Sequence, residues 1–175
     1  MHSTKDLVLA GLFIAIGIIL PFFTGQIPEF GNMLLPMHIP VLLSGYVLGG
    51  PMGLIIGFIL PLFRSFLFNA PPMFPAAVSM SFELATYGLV TGLLYKSLPK
   101  NKINIYLSLT AAMIAGRIVW GLARLSLYGI QGTPFNITLF VEGAILLALP
   151  GIIIQLALIP ILVMILEKKN LLKKD

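Results

Sequence analysis

The chain has 175 residues, 58% of them hydrophobic and only 10% charged, and a mean hydropathy of +1.03. A soluble domain carries about 25% charged residues, so water is excluded as the solvent for most of this surface. The net charge of +5 would suggest nucleic acid in a soluble protein; in an apolar chain it reports membrane topology, and no nucleic-acid partner is expected.

A helix of about 20 apolar residues crosses the ~30 Å hydrocarbon core, which leaves room for about six spans and little else. The first runs over residues 7–23. Its length and the absence of a small-residue cleavage site before Pro21 mark it as a retained helix rather than a signal peptide. A polar stretch, "TGQIPEFGNMLLP", leads to a short second span at 37–48, and "GGP" at 49–51 breaks the chain before a third at 52–68. The prolines of "NAPPMFP" disfavour helix ahead of a fourth span at 76–95, which exits through "KSLPKNK". The fifth covers 103–127, and "YGIQGTPFN" supplies turn signals before the sixth at 137–166, where Pro150 and Pro160 predict a kink. The expected fold is all-α: one six-helix membrane domain over residues 1–175. With no cysteine in the chain, disulfide frameworks and thiolate zinc sites are excluded.

Lysine placement orients these helices. Lys5, Lys96, Lys100, Lys102, Lys168, Lys169, Lys173 and Lys174 all fall on one side of a six-span chain. By the positive-inside rule that side is cytoplasmic, so both termini are expected inside and loops 1, 3 and 5 outside.

The three arginines behave differently, because all lie within predicted spans. Arg64, Glu83, Arg117, Arg124 and Glu142 are expected in the outer half of the membrane. A charge at the bilayer centre costs at least ~2.5–3.5 kcal/mol, so these groups must face one another or water. Arg117 and Arg124 are two helical turns apart and project from one face. A guanidinium fork there can hold a carboxylate or phosphate. The competing reading is structural: Glu83 and Glu142 neutralise two arginines and the third, Arg64 above all, snorkels to the headgroups. Asn32, His38, Asn69, Tyr87, Tyr128, Gln131 and Asn136 are further polar candidates, with Phe74, Trp120 and Phe135 as aromatic covers. His38 has no second histidine at ligand spacing, so no metal site is expected.

Helix 1 carries "AGLFIAIG", in which Gly11 and Ala15 form a small-xxx-small pair beside Ala10 and Gly17. Gly53/Gly57 and Gly88/Gly92 repeat the pattern. Each pair either packs within the chain or docks another subunit. The sequence contains no phosphate-binding loop, HExxH or GxSxG motif.

The whole chain resembles the substrate-binding S components of energy-coupling factor (ECF) transporters. "HIPVLLSGYVLGGPMGLIIGFILPLFRSFLF", "FPAAVSMSFELATYGLVTGLLY", "AGRIVWGL" and "PGIIIQLALIPILV" are similar to the branch that includes pantothenate, pyridoxine-type and cobalamin S components. The resemblance implies a vitamin-binding subunit of the bacterial cytoplasmic membrane, without cofactor or enzymatic activity of its own. It further implies a membrane scaffold and two ATPases as partners, the scaffold meeting helix 1 at Ala10, Gly11 and Ala15. It puts the ligand site at the outer ends of helices 4 to 6 and loops 1, 3 and 5, near Glu83, Arg117, Arg124 and Glu142.

Three arginines against two glutamates leave one positive charge, which suits a monoanion such as pantothenate. The open alternatives are pyridoxine or hydroxymethylpyrimidine, held by stacking; a stand-alone secondary transporter or channel; and a small membrane enzyme using Glu83 and Glu142 as acid and base.

Overall fold

The computed structural model describes residues 3–24, 33–132, 134, 136–169 and 172, which contain helices and turns but no strand. Helix α1, Thr4–Ile19, opens at a capping box: the Asp6 amide donates to Ser3 Oγ at 3.2 Å, and the Ser3 amide donates to Asp6 Oδ2 at 3.1 Å. Pro21 lacks an amide donor, and the chain tightens into a 3-10 turn over Leu20–Thr24. Helix α2, His38–Leu48, is separated from α3, Gly50–Phe68, by Gly49 at φ 86°, a conformation that favours glycine. A π-type turn, Met73–Ala77, leads into α4, Val78–Ser97. Helix α5, Lys102–Gln131, is capped at its start by Asn101, whose side chain accepts from the Asn104 amide at 2.8 Å.

The predicted sixth helix is divided into α6, Ile137–Val141, a π-type turn over Glu142–Leu146, and α7, Leu149–Lys168. The break precedes Pro150, which lies in the first turn of α7, where proline forfeits no hydrogen bond. Pro160 remains inside α7.

Among the described residues, five segments are long and apolar enough to cross a membrane: Thr4–Phe23, Gly50–Phe68, Met73–Ser97, Lys102–Gln131 and Leu149–Lys168. Helix α2, with 11 residues, falls below the ~20 needed for an independent span. It lies at the centre of the bundle instead, touching α1, α3, α4 and α7, and His38, Val41, Leu42 and Tyr46 are among its buried residues.

Helices α3 and α4 approach until their backbones touch. A Cβ added to Gly53 would meet the Gly88 carbonyl oxygen at 2.6 Å, and one added to Gly57 would collide with the Leu84 backbone. Both glycine pairs of these helices are therefore spent on packing within the chain. On α1 the small residues divide. Ala10 and Gly17 are buried, with the Leu60 side chain filling the space over Gly17. Gly11 and Ala15 are exposed, on a surface that also bears Leu7, Leu12 and Ile19.

The end of α4 distant from its buried charge is clasped. Tyr95 Oη donates to Glu167 Oε1 at 2.5 Å, joining α4 to α7. The Lys100 ammonium donates to the Tyr95 carbonyl and lies 3.6 Å from the centre of its ring. Tyr46 Oη reaches the Ile105 carbonyl at 3.1 Å and Ser108 Oγ at 2.9 Å, tying α2 to α5.

Gly88→Leu is expected to prevent the α3–α4 approach, with a loss of stability at or beyond the ~1–3 kcal/mol of ordinary overpacking. Gly11→Leu, on the open face of α1, should leave thermal unfolding of the isolated chain in detergent nearly unchanged.

Candidate functional site

Ser79, Glu83 and Tyr87 recur every four residues on α4 and share one face. All three are buried, and Glu83 retains only 1% of its surface. Its carboxylate meets groups from two other helices. Arg117 Nη1 of α5 lies 2.9 Å from Oε1, and His38 Nε2, from the first turn of α2, lies 3.4 Å from the same oxygen. The contacts have ionic distances but lack hydrogen-bond alignment, so Oε1 remains without a hydrogen bond.

The ring of Tyr87 packs edge-on against His38, with centroids 5.4 Å apart, and occupies the space where a side chain at Gly116 would stand. Around this contact, His38 Nδ1, Tyr87 Oη, and Arg117 Nε and Nη2 are buried without hydrogen-bond partners. Gln155, fully buried on α7, likewise has neither amide atom partnered. Helix α7 packs on α2 and α5, the helices that carry His38 and Arg117.

Two turns along α5 from Arg117, Arg124 occupies a different setting. Its Nε donates to Ser79 Oγ at 3.1 Å and its Nη1 to Tyr128 Oη at 2.9 Å. The guanidinium carbon lies 5.1 Å from the centre of the Trp120 ring and 5.5 Å from that of Tyr128. Trp120 is held from the other side, where its ring lies over Gly143 and 6.2 Å from Phe140. The spacing 117, 120, 124, 128 makes one stripe on α5. Among the described residues no carboxylate forms a salt bridge with Arg124. Beside this stripe α5 and α6 enclose an open groove of about 280 Å³, lined by Ile118, Leu122, Leu125, Ile137 and Phe140, with no charged group.

The expected five-charge cluster is thus divided. Glu83, His38 and Arg117 meet, and Trp120, Arg124 and Tyr128 stand next along α5. Arg64 belongs elsewhere: it is buried on α3, donates to the Ile18 carbonyl at 2.6 Å, and its guanidinium lies 5.2 and 5.5 Å from the ring centres of Phe22 and Phe68. A carbonyl in the last turn of α1 has lost its intrahelical donor, and Arg64 supplies one. Glu142 is exposed, and its carboxylate makes no salt bridge among the described residues. Asn69 ends α3 in a left-handed conformation, φ 51°, and Asn136 caps α6 by accepting from the Leu139 amide at 3.0 Å, so both have local roles. Gln131 and Phe74 are exposed, while Asn32 and Phe135 lie outside the described residues.

Ser79 and Gln155 are absent from the sequence expectations. The signal for Ser79 was its spacing of one turn from Glu83. For Gln155 it was a lone amide in "PGIIIQLALIPILV".

The family model described as "ECF transporter, substrate-specific component" matches residues 5–165. The chain belongs to this family. Comparison with curated proteins and with solved structures gave no significant match. As an S component, the chain is a multi-pass membrane protein and the substrate-binding subunit of a transporter, working with ECF scaffold and ATPase subunits. The Glu83 carboxylate and the partly buried Arg117 and Arg124 are therefore candidates for substrate contact.

Arg64→Met should lower stability by about 1.5–3 kcal/mol, the range for a hydrogen bond to a charged group, and leave substrate affinity unchanged. Thermal unfolding and a binding titration on the same preparation check both halves; lost affinity without lost stability would move Arg64 into the binding site. Arg117→Met, which leaves the Glu83 charge without its cation, should cost more, about 3–5 kcal/mol.

Proposed function

We propose that this S component binds a small water-soluble vitamin carrying one negative charge, with pantothenate the best match, for import across a bacterial cytoplasmic membrane by an ATP-driven ECF complex. The observation that carries this reading is the setting of Arg124. Its guanidinium is oriented by two hydroxyls and two aromatic rings, so its positive charge is positioned but has no carboxylate counterion among the described residues. Arg117 faces Glu83. Two arginines and one carboxylate leave a single positive charge along the α5 stripe, and Arg124 is where it lies. A substrate carboxylate can replace or join the hydroxyl contacts of the fork in bidentate geometry.

In this reading Glu83, His38, Arg117, Trp120, Arg124 and Tyr128 form the binding region. Glu142 and Asn136 belong to the adjoining α6 segment, and Asn69 and Arg64 to the C-terminal end of α3. The chain forms one unit with six crossings, the α6–α7 pair counting as one and α2, too short to cross lipid by itself, counted as a crossing inside the bundle, and both termini cytoplasmic. Lysine placement supports this, because six crossings put every lysine on one side. The scaffold docks on the open face of α1 at Gly11 and Ala15, with Ala10 beneath them supporting α1 against the bundle.

Pyridoxine or hydroxymethylpyrimidine is the second reading, favoured by the Trp120 and Tyr128 rings beside Arg124. The purified chain is tested against a panel of water-soluble vitamins by thermal stabilisation. A ligand at 100 times its dissociation constant adds about 2.7 kcal/mol. Pantothenate is expected to stabilise selectively, and Arg124→Ala to weaken it about tenfold or more, the effect of losing a charge-assisted hydrogen bond. Selective stabilisation by a neutral vitamin would overturn the monoanion reading. Transport by the chain alone in liposomes would overturn the binding-subunit role.

A further inference from the structure

We infer that the buried polar groups around Glu83 form an inner subsite for the neutral, hydrogen-bonding end of the substrate, so that the substrate lies with hydroxyl groups at Arg117, Tyr87 and Gln155 and its anionic group at Arg124. This rests on the proposed reading of Arg124 and adds the orientation of the substrate and the class of its second end.

The first argument is hydrogen-bond satisfaction. Buried polar atoms in native proteins nearly always have partners, and each exception calls for an explanation such as an absent ligand or solvent molecule. Here the exceptions gather on three neighbouring helices: His38 Nδ1 on α2, Tyr87 Oη on α4, and Arg117 Nε and Nη2 on α5. Gln155 adds an unpartnered donor and acceptor from α7, which packs on two of these helices. In hydrocarbon no bulk water is present to satisfy them. Arg117 keeps 13% of its side-chain surface, against 1% for Glu83 and His38, and is the least buried of the three.

The second argument is charge. A second anion placed at Arg117 would lie against the Glu83 carboxylate, already 2.9 Å from that guanidinium, and like charges at such range repel strongly in a low-dielectric site. A hydroxyl or amide meets no such penalty and can accept from Arg117 Nε and Nη2. The anion is therefore sorted outward to Arg124 and the neutral end inward.

The third argument is distance. Arg117 and Arg124 are seven residues apart on α5, about 10 Å of helix, while their contacts Glu83 and Ser79 are one turn apart on α4, about 6 Å. A substrate that bridges the two centres carries its carboxylate roughly 6–10 Å from its hydrogen-bonding groups. A hydroxylated amide of a short amino acid has these dimensions.

The test uses the purified full chain and three probes: pantothenate; pantothenol, in which an alcohol replaces the carboxylate; and N-pentanoyl-β-alanine, which keeps carboxylate and amide but has no hydroxyl. Affinities are measured for the unmodified chain and for Tyr87→Phe, Gln155→Met and Arg124→Ala. Tyr87→Phe and Gln155→Met should each weaken pantothenate and pantothenol about five- to tenfold, the effect of one lost hydrogen bond. Both should leave the weaker N-pentanoyl-β-alanine unchanged. Gln155→Met should not lower the melting temperature of the ligand-free chain, since the amide it removes leaves no partner behind. Arg124→Ala should weaken pantothenate and spare pantothenol.

If the unmodified chain binds pantothenate but a folded Tyr87→Phe or Gln155→Met variant binds all three probes as before, the inner subsite is overturned and the Arg124 reading stands. Equal weakening of all three probes, or a lowered melting temperature with unchanged affinity, assigns these side chains to packing and also overturns it. If pantothenate does not bind the unmodified chain, the substrate reading fails, and the orientation fails with it.

Discussion

A carboxylate buried among helices of a lipid-facing bundle is the constraint on which this structure turns. Glu83 has almost no access to solvent, and an unpaired anion there would be strongly disfavoured. The charge is tolerated because α2 and α5 bring His38 and Arg117 to one of its oxygens. Three helices are thereby fixed relative to one another by a single group. The arrangement also depends on the glycines of α3 and α4, whose backbone contact brings α4 close to α3 and α2.

Away from this polar centre, side-chain hydrogen bonds tie the helices together. Tyr95, Glu167, Lys100 and Tyr46 join α2, α4, α5 and α7 at the opposite end of α4, through contacts made largely by side-chain hydroxyls and charges. Nearer the polar centre, α6 is short and largely exposed, and a π-type turn separates it from α7. Its described attachments to α5 are contacts of rings with glycines, Phe140 over Gly121 and Trp120 over Gly143. On the proposed reading, substrate enters at this end, where Trp120 stands between the α6 segment and Arg124.

The two α5 arginines show how identical side chains acquire different chemistry. Arg117 lies against a buried carboxylate, whereas Arg124 is held by neutral hydroxyls and aromatic faces. Arg64, the third, is drawn to a helix end that lacks a donor. The three guanidiniums occupy three environments: beside an anion, in a polar and aromatic cradle, and at a backbone carbonyl.

Composition alone determined that this chain lies in lipid, because so few charges cannot solvate its surface. Hydrophobic runs marked the apolar helices without revealing the break inside the last, and the glycine pairs of α3 and α4 marked where those two helices approach. The sequence also singled out Glu83, Arg117 and Arg124, since an ionisable residue in an apolar run must find a partner or a cavity. Which partner it finds was decided by the tertiary structure. Arg64 and Glu142 look equivalent to the others in the sequence, yet one completes the end of α1 and the other faces outward. The short α2 read as a span like its neighbours, although it is buried on nearly every side. Helical periodicity specifies which residues share a face; it does not specify what lies opposite that face, and the pairing of buried charges depends on the latter.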